Sequence, residues 1–231
     1  LSLLPVLVGL GLWQFDRAAQ KQQQERQMQE RQQAPALSLS QLEQSRPANW
    51  QRLVLTGHFD RQRIWLLDNR TRDGAAGVEV LQAFQDDSGQ WLLINRGWMP
   101  WPDRRDVIQV NTPSGRQQLL AEALPAPGSG FRLGDAAAAS ADWPRLITQI
   151  NLAELSQQAG LPLASWRARL IEPSASAALR LDWPDLPMSS SRHTGYAVQW
   201  FCLAGALFVL FVWAGLRPES RGNNNNDEHD R

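Results

Sequence analysis

The feature that most constrains this chain is a run of 21 residues without a formal charge, from Tyr196 to Leu216. Gln199 is its only strongly polar side chain. At a rise of ~1.5 Å per residue, a helix of this length covers about 30 Å, which is the thickness of a hydrocarbon core. The run therefore predicts a transmembrane helix over residues 193–216. A buried helix in a soluble core is less favoured, because such helices are rarely apolar on every face for this long.

One ionisable residue, His193, lies at the mouth of this helix. At 100° per residue it shares a face with two aromatic residues, several small ones and an apolar stripe: Tyr196, Ala197, Trp200, Ala204, Leu207, Phe211 and Gly215. Small residues allow another helix or a flat ligand to approach closely, and imidazole is a common axial ligand of haem iron. From spacing alone, however, an interfacial hydrogen-bonding role for the histidine is favoured over metal ligation.

The first residues, 1–15, form a second apolar segment that is shorter than a full membrane span. A signal peptide is disfavoured because no small-residue cleavage site follows the apolar core. The segment instead predicts the outer part of a first transmembrane helix whose beginning is missing. We expect it to lie antiparallel to the later helix, with Gly9 and Gly11 facing that partner.

Residues 16–36 are helical in propensity but polar on every face, which predicts a solvated helical extension that ends at Pro35. Residues 37–190 carry short strand patterns separated by turn residues, and predict one mainly β domain, a barrel or a sandwich, with a few short helices. The expected strands are 51–57, 63–68, 78–84, 90–95, 116–123, 146–150 and 166–171, and a helix is expected over 152–159. Residues 217–231 are predicted to be a disordered tail.

Composition and motifs exclude several classes of function. The chain has 23 basic and 23 acidic residues, so no charge imbalance indicates a nucleic-acid partner. The single cysteine, Cys202, permits no intrachain disulfide. Phosphate-binding loops, zinc-ligand clusters and nucleophile motifs are all missing from the sequence, so an enzyme is not predicted.

The segment Asn95 to Pro102, with the sequence Asn-Arg-Gly-Trp-Met-Pro-Trp-Pro, has two interpretations. As a structural device, its glycine and prolines turn the chain while Trp98 and Trp101 brace it. As a binding device, Arg96 between exposed indoles could hold a carboxylate. The structural interpretation is favoured.

Motifs spread along nearly the whole chain resemble those of the Surfeit locus protein 1 family of cytochrome c oxidase assembly factors. They begin with Leu10-Gly11-Leu12-Trp13-Gln14 and include Gly57-x-Phe59, Asn69-Arg70, Gly77, Asn95-Arg96-Gly97-Trp98-x-Pro100 and His193-x-x-Tyr196-Ala197-x-Gln199-Trp200-Phe201. Each motif is weak by itself, but their order and coverage make the resemblance specific.

The resemblance implies an assembly factor rather than an enzyme, with two transmembrane helices flanking an extracytoplasmic domain. It implies a multi-pass protein of the bacterial inner membrane, with the central domain on the periplasmic side. Oxidase subunit I, other oxidase assembly factors and membrane lipid are the implied partners. The charges give a mixed signal, since Arg217 and Arg221 favour a cytoplasmic C terminus whereas the four cations between residues 17 and 31 oppose this topology.

The resemblance also implies that haem a is bound and passed to subunit I, with His193 as the ligand of the iron. We expect Tyr196 and Trp200 to flank the macrocycle and Arg192 to lie near its propionates. The second axial position would be open, filled by water or supplied by a partner. The alternative is a membrane-anchored scaffold that stabilises an oxidase intermediate without touching the cofactor.

Overall fold

A computed structural model describes residues 2–42, 46–103, 105–125, 142–173, 175–183 and 190–216. Two compact units are present: one contains the first helix up to residue 26 together with the last helix, and the other runs from residue 27 to 185. The predicted tail and the arginines at 217 and 221 lie outside the described residues.

Three helices and seven strands make up the described chain. In order they are α1 (Leu3–Gln33), β1 (Leu37–Ser38), β2 (Arg52–Arg72), β3 (Ala75–Asp86), β4 (Trp91–Pro100), β5 (Gln117–Leu124), β6 (Arg145–Ile147), α2 (Leu152–Ala159), β7 (Leu163–Leu170) and α3 (Ser190–Leu216), with a short 3-10 turn at Leu39–Gln41. The predicted apolar segment and its polar extension thus form one continuous helix, α1.

The strands of the central unit form a closed ring. β2 pairs with β3, β3 with β4, β4 with β7, β7 with β5, and β5 returns to β2. Most of these pairings are antiparallel, but β4 and β7 are parallel and are joined by a crossover that includes α2. Of the two predicted architectures, the barrel is therefore correct.

β2 corrects the strand prediction, since residues 51–57 and 63–68 belong to one strand of 21 residues rather than two. Its first part pairs with β5 and its remainder with β3, and the change of partner occurs at Gly57. A Cβ atom at this position would lie 2.0 Å from the carbonyl oxygen of Gln85, so only glycine fits where the strands approach this closely.

Apolar residues on the inner faces of the strands fill the barrel. They include Leu53, Leu55, Phe59, Phe84, Leu92, Ile94, Leu119, Trp166 and Leu170, all of which are buried. A second cluster on the outer face contains Trp65, Leu67, Leu81 and Leu93 and is covered by α2 through Leu155 and Ala159. α2 has the predicted bounds, because the Asn151 side chain accepts a hydrogen bond from the Glu154 N–H and Gly160 ends the helix in the left-handed conformation.

Candidate functional site

Among the described residues, α3 is the one helix that is long and apolar enough to cross a membrane. Most of its large apolar side chains are exposed, including Val209, Leu210 and Phe211. α1 does not meet the same criterion, since its apolar part ends at Phe15 and a polar helix follows. One candidate span is therefore present in the described part of the chain, and the predicted two-span arrangement is a proposal.

Three contacts show that α1 and α3 run antiparallel. Glu25 of α1 contacts Ser190 at the start of α3, Gln14 contacts His193, and Gly11 lies against the ring of Phe201. A Cβ atom at Gly11 would approach that ring to 2.8 Å, so the glycine permits the close approach of the helices. Gly9 has open space around its Cα atom, and the prediction that it faces α3 is wrong because it lies on another face of α1.

The beginning of α3 is held by a carboxylate from α1. Glu25 accepts hydrogen bonds from the Ser190 backbone N–H at 3.0 Å and from the Ser190 hydroxyl at 2.8 Å. These two bonds, with Lys21 nearby, hold the pKa of Glu25 below its usual value. The carboxylate thereby caps the N-terminal end of α3 from a residue far away in the sequence.

His193 is half-buried, one turn into α3. Its Nδ1 atom lies 2.8 Å from the side-chain oxygen of Gln14. A carboxamide oxygen only accepts hydrogen bonds, so an Nδ1–H that donates to it leaves the lone pair on Nε2. A hydrogen bond of this kind fixes the tautomer and orientation of the ring, and is the support that metal-ligating histidines commonly have.

The other predicted site residues lie on two sides of α3. Ala197 and Ala204 are 0% and 6% exposed, so the small-residue stripe is covered and leaves no gap beside it for a flat ligand. Tyr196 is 49% exposed, Trp200 is half-buried and Arg192 is exposed. Helical geometry turns Tyr196 about 100° away from the buried Ala197, so this exposed aromatic ring can contact another molecule.

The His193 end of α3 fits a haem ligand, but the alanine stripe further along the helix does not. The His193 ring is oriented by Gln14 and is flanked on its helix by the exposed Tyr196 and the half-buried Trp200. A macrocycle along the Ala197–Ala204 line does not fit, because that line is already buried. No group of three or more histidine, cysteine, aspartate or glutamate residues that could hold a metal occurs in the described ranges.

The Asn95–Pro102 segment has a structural role in the central unit. The Arg96 side chain is 1% exposed, and it donates to the carbonyl oxygens of Ala177 and Asn111 and to the Gln82 side chain at 2.6–2.8 Å. Burial lowers the pKa of Arg96 to about 10, so the guanidinium is still charged at neutral pH. A buried arginine with these partners is not placed to hold an external carboxylate.

Trp98 braces the same segment. It is 4% exposed, its indole N–H donates to the carbonyl oxygen of Arg70, and its ring lies against Gly77. A Cβ atom at residue 77 would approach the ring to 2.5 Å. The Gly77 and Trp98 motifs are therefore two halves of one packing contact.

Sequence reasoning missed Gln14 and Glu25 as partners of α3. Gln14 was visible as a polar residue in an otherwise apolar segment, which is a signal for a buried or interhelical hydrogen bond. Glu25 gave no such signal, because it lies among many other polar residues.

The described residues define a class of protein: a membrane-associated chain with a β-barrel unit and an apolar helix that presents an oriented histidine near its start. The SURF1 family model matches residues 1–205, and the chain belongs to this family of oxidase assembly factors, which is not a class of enzymes. A SURF1-like protein of Rickettsia bellii (strain RML369-C) is 27% identical over 224 residues, which cover 94% of this chain and 89% of the relative. A SURF1-like protein of Rickettsia felis (strain ATCC VR-1525 / URRWXCal2) is 26% identical over 213 residues, which cover 90% and 91% of the two chains.

Proposed function

We propose that this protein binds haem a through His193 and assists its insertion into subunit I of a haem–copper oxidase. The observation that carries the proposal is the hydrogen bond between His193 and Gln14. It orients an imidazole near the start of the apolar helix and leaves the second ring nitrogen for a ligand. Family membership supplies the connection to oxidase assembly.

Other residues near His193 would contact the ring and the carboxylates of the haem. Tyr196, which is exposed, and Trp200, which is half-buried, offer aromatic surface on the same helix as His193. Arg192, which is exposed, can pair with the carboxylates of an amphipathic macrocycle. Haem a, when bound, supplies the redox-active iron centre that an oxidase requires. If haem a binds here, His193 would be the one protein ligand that we assign to it, and a single protein ligand would favour release.

We also propose that residues 1–15 belong to a first membrane span and that the central unit lies on the periplasmic side of the bacterial inner membrane. The antiparallel contacts between α1 and α3 support two adjacent spans. The partners are then subunit I, other oxidase assembly factors and membrane lipid.

A scaffold that binds no cofactor is the second candidate, and the covered alanine stripe favours it. Ala197 and Ala204 are buried by helix packing, so this part of α3 has a structural role without any ligand. On this account His193 is an interfacial anchor that makes one of several contacts between α1 and α3, and its loss leaves the oxidase intact.

The two candidate functions predict different amounts of active oxidase when His193 is replaced. Haem insertion requires His193, and a scaffold that binds no cofactor does not. Cells that lack their own copy of this protein would carry either the parent chain or a His193→Ala variant, and the amount of active oxidase in their membranes would be measured. His58→Ala is the matched control, because His58 is an exposed histidine of β2 in the other unit. We expect a large loss of active oxidase with His193→Ala and none with His58→Ala. Normal oxidase with a folded His193→Ala chain would favour the scaffold.

A further inference from the structure

A cleft with a volume of about 340 Å³ lies on the outer face of the central barrel. Three arginines and one glutamate line it, together with polar and apolar residues of β2 and of the segment before α2: Leu67, Asn69, Arg70, Thr71, Arg72, Glu79, Ile150 and Arg167. Its volume is within the range of small-molecule sites, which is ~300–1,000 Å³. The cleft lies within the central unit and contains none of the residues of the proposed haem site.

A bulge in β2 brings the arginines of this strand to the cleft. Leu67 pairs with Glu79 and Arg70 with Gly77, so three steps along β2 correspond to two along β3. Because side chains alternate along a strand, the extra residue moves Arg70 and Arg72 to the same face as Leu67. Asn69, at the bulge, has a φ of 57°, in the left-handed region that asparagine tolerates better than most residues.

Positive charge exceeds negative charge in the lining of the cleft. Glu79 is the one carboxylate among the lining residues, and its Oε1 atom pairs with Arg72 at 2.9 Å and with Arg70 at 3.7 Å. Its other oxygen accepts a hydrogen bond from Asn95. Asp182, outside the lining, lies 3.5 Å from Arg72 and also pairs with Arg180.

Arg167 of β7 is the cation in the cleft that these carboxylates do not engage directly. Its Nε atom is buried and has no hydrogen-bond partner in the described structure. Desolvation lowers the pKa of Arg167 to about 10, while the charge of Glu79 opposes this change, so the side chain is positive at neutral pH. A buried and incompletely hydrogen-bonded guanidinium is costly unless an anion completes its coordination.

We propose that this cleft binds the oxyanion of a small molecule, either a phosphate or a carboxylate group, through Arg167 and Arg70. The planar guanidinium fork suits both groups, since each offers two oxygens in the required geometry. Leu67 and Ile150 provide an apolar wall for the rest of the molecule. Arg72 is already paired with Glu79 and positions that carboxylate rather than the ligand.

The test is isothermal titration calorimetry of the full chain in detergent at low ionic strength, with inorganic phosphate and with malonate as separate probes. We expect one or both probes to bind to the parent chain, and the stronger of the two identifies the preferred oxyanion. Arg167→Gln should weaken that binding by about ten-fold or more, because it removes the charge and the fork. Arg116→Gln is the control, since Arg116 is an exposed arginine paired with Asp87 elsewhere on the barrel, and it should leave the affinity unchanged.

A second variant keeps the test valid if Arg167→Gln does not fold, as judged by its melting curve. Arg167→Lys keeps the charge but loses the fork, and should bind the preferred probe several-fold more weakly than the parent. Failure of both probes to bind at millimolar concentration would overturn the proposal. An affinity that is unchanged in the folded Arg167 variants would also overturn it.

Discussion

The central barrel buries its large apolar side chains, whereas the helix pair formed by α1 and α3 exposes them. In the barrel, the large apolar residues of β2, β3 and β4 are almost fully buried, either in the interior or under α2 on the outer face. The pair of helices α1 and α3 instead buries small residues and exposes large ones. Gly11, Ala18, Ala197 and Ala204 are the buried residues of α1 and α3, while Val209 and Phe211 remain exposed. The barrel has the pattern of a fold stabilised in water, and the helix pair has the pattern of helices packed together in lipid.

The two regions also use polar groups differently. In the barrel, the buried Arg96 is held by three hydrogen-bond acceptors and stabilises a packed interior. In the helix pair, isolated polar pairs such as His193–Gln14 and Ser190–Glu25 occur where α1 and α3 face each other. A substitution should therefore affect global stability in the barrel and local helix association in the pair.

The largest expected effect is that of Trp98→Ala in the barrel. It removes a buried indole that packs on Gly77 and donates to Arg70, and should lower the free energy of unfolding by about 3–5 kcal/mol. Thermal and denaturant melts of the full chain would measure this loss. Trp101→Ala is the control, because Trp101 is only half-buried and should cost less. A Trp98→Ala chain that melts like the parent but no longer supports oxidase assembly would contradict the structural role of this segment.

A smaller and more local effect is expected from Gly11→Leu in the helix pair. The new side chain would collide with Phe201 and should weaken the association of the helices by roughly 1–3 kcal/mol, as overpacking typically does. The measurement is the yield of a thiol crosslink between cysteines placed at Glu25 and Ser190, with Cys202 replaced by serine. Gly9→Leu is the matched control, since Gly9 has open space and should leave the crosslink unchanged. Equal crosslinking in the two leucine variants would show that Gly11 is not at the helix contact.

The smallest expected effect is the pH dependence of the Glu25 cap. The pKa of Glu25 is lowered by its bonds to Ser190, so its contribution is present above the unfolded-state pKa and is lost as the pH falls through the lower pKa of the folded state. Protection of the first α3 amides against hydrogen exchange should therefore decrease in acid, and Glu25→Gln should show less protection at neutral pH. Protection that is independent of pH in the parent chain would exclude the cap.

The sequence was sufficient for local elements and insufficient for contacts between distant residues. Local patterns predicted strands over 78–84 and 90–95 and a helix over 152–159, and β3, β4 and α2 lie at these positions, because such signals act within a few residues. Closure of the barrel could not be predicted, since it depends on β5 pairing with both β2 and β7.

In the candidate site, too, contacts between residues far apart in the sequence could not be predicted. His193 was identifiable from its position before an apolar run, but its partner Gln14 lies 179 residues away in the sequence. The oxyanion cleft requires a bulge at Asn69 and an arginine on β7, and no local pattern links these positions.

The absorption spectrum of the full chain, purified from cells that make haem a, tests the central claim most directly. The parent chain and the His58→Ala control should carry haem a with the same spectrum. His193→Ala should be folded and membrane-inserted but purify without haem, because the imidazole that we propose as the iron ligand is gone. A His193→Ala chain that retains haem a with the spectrum of the parent would contradict the account.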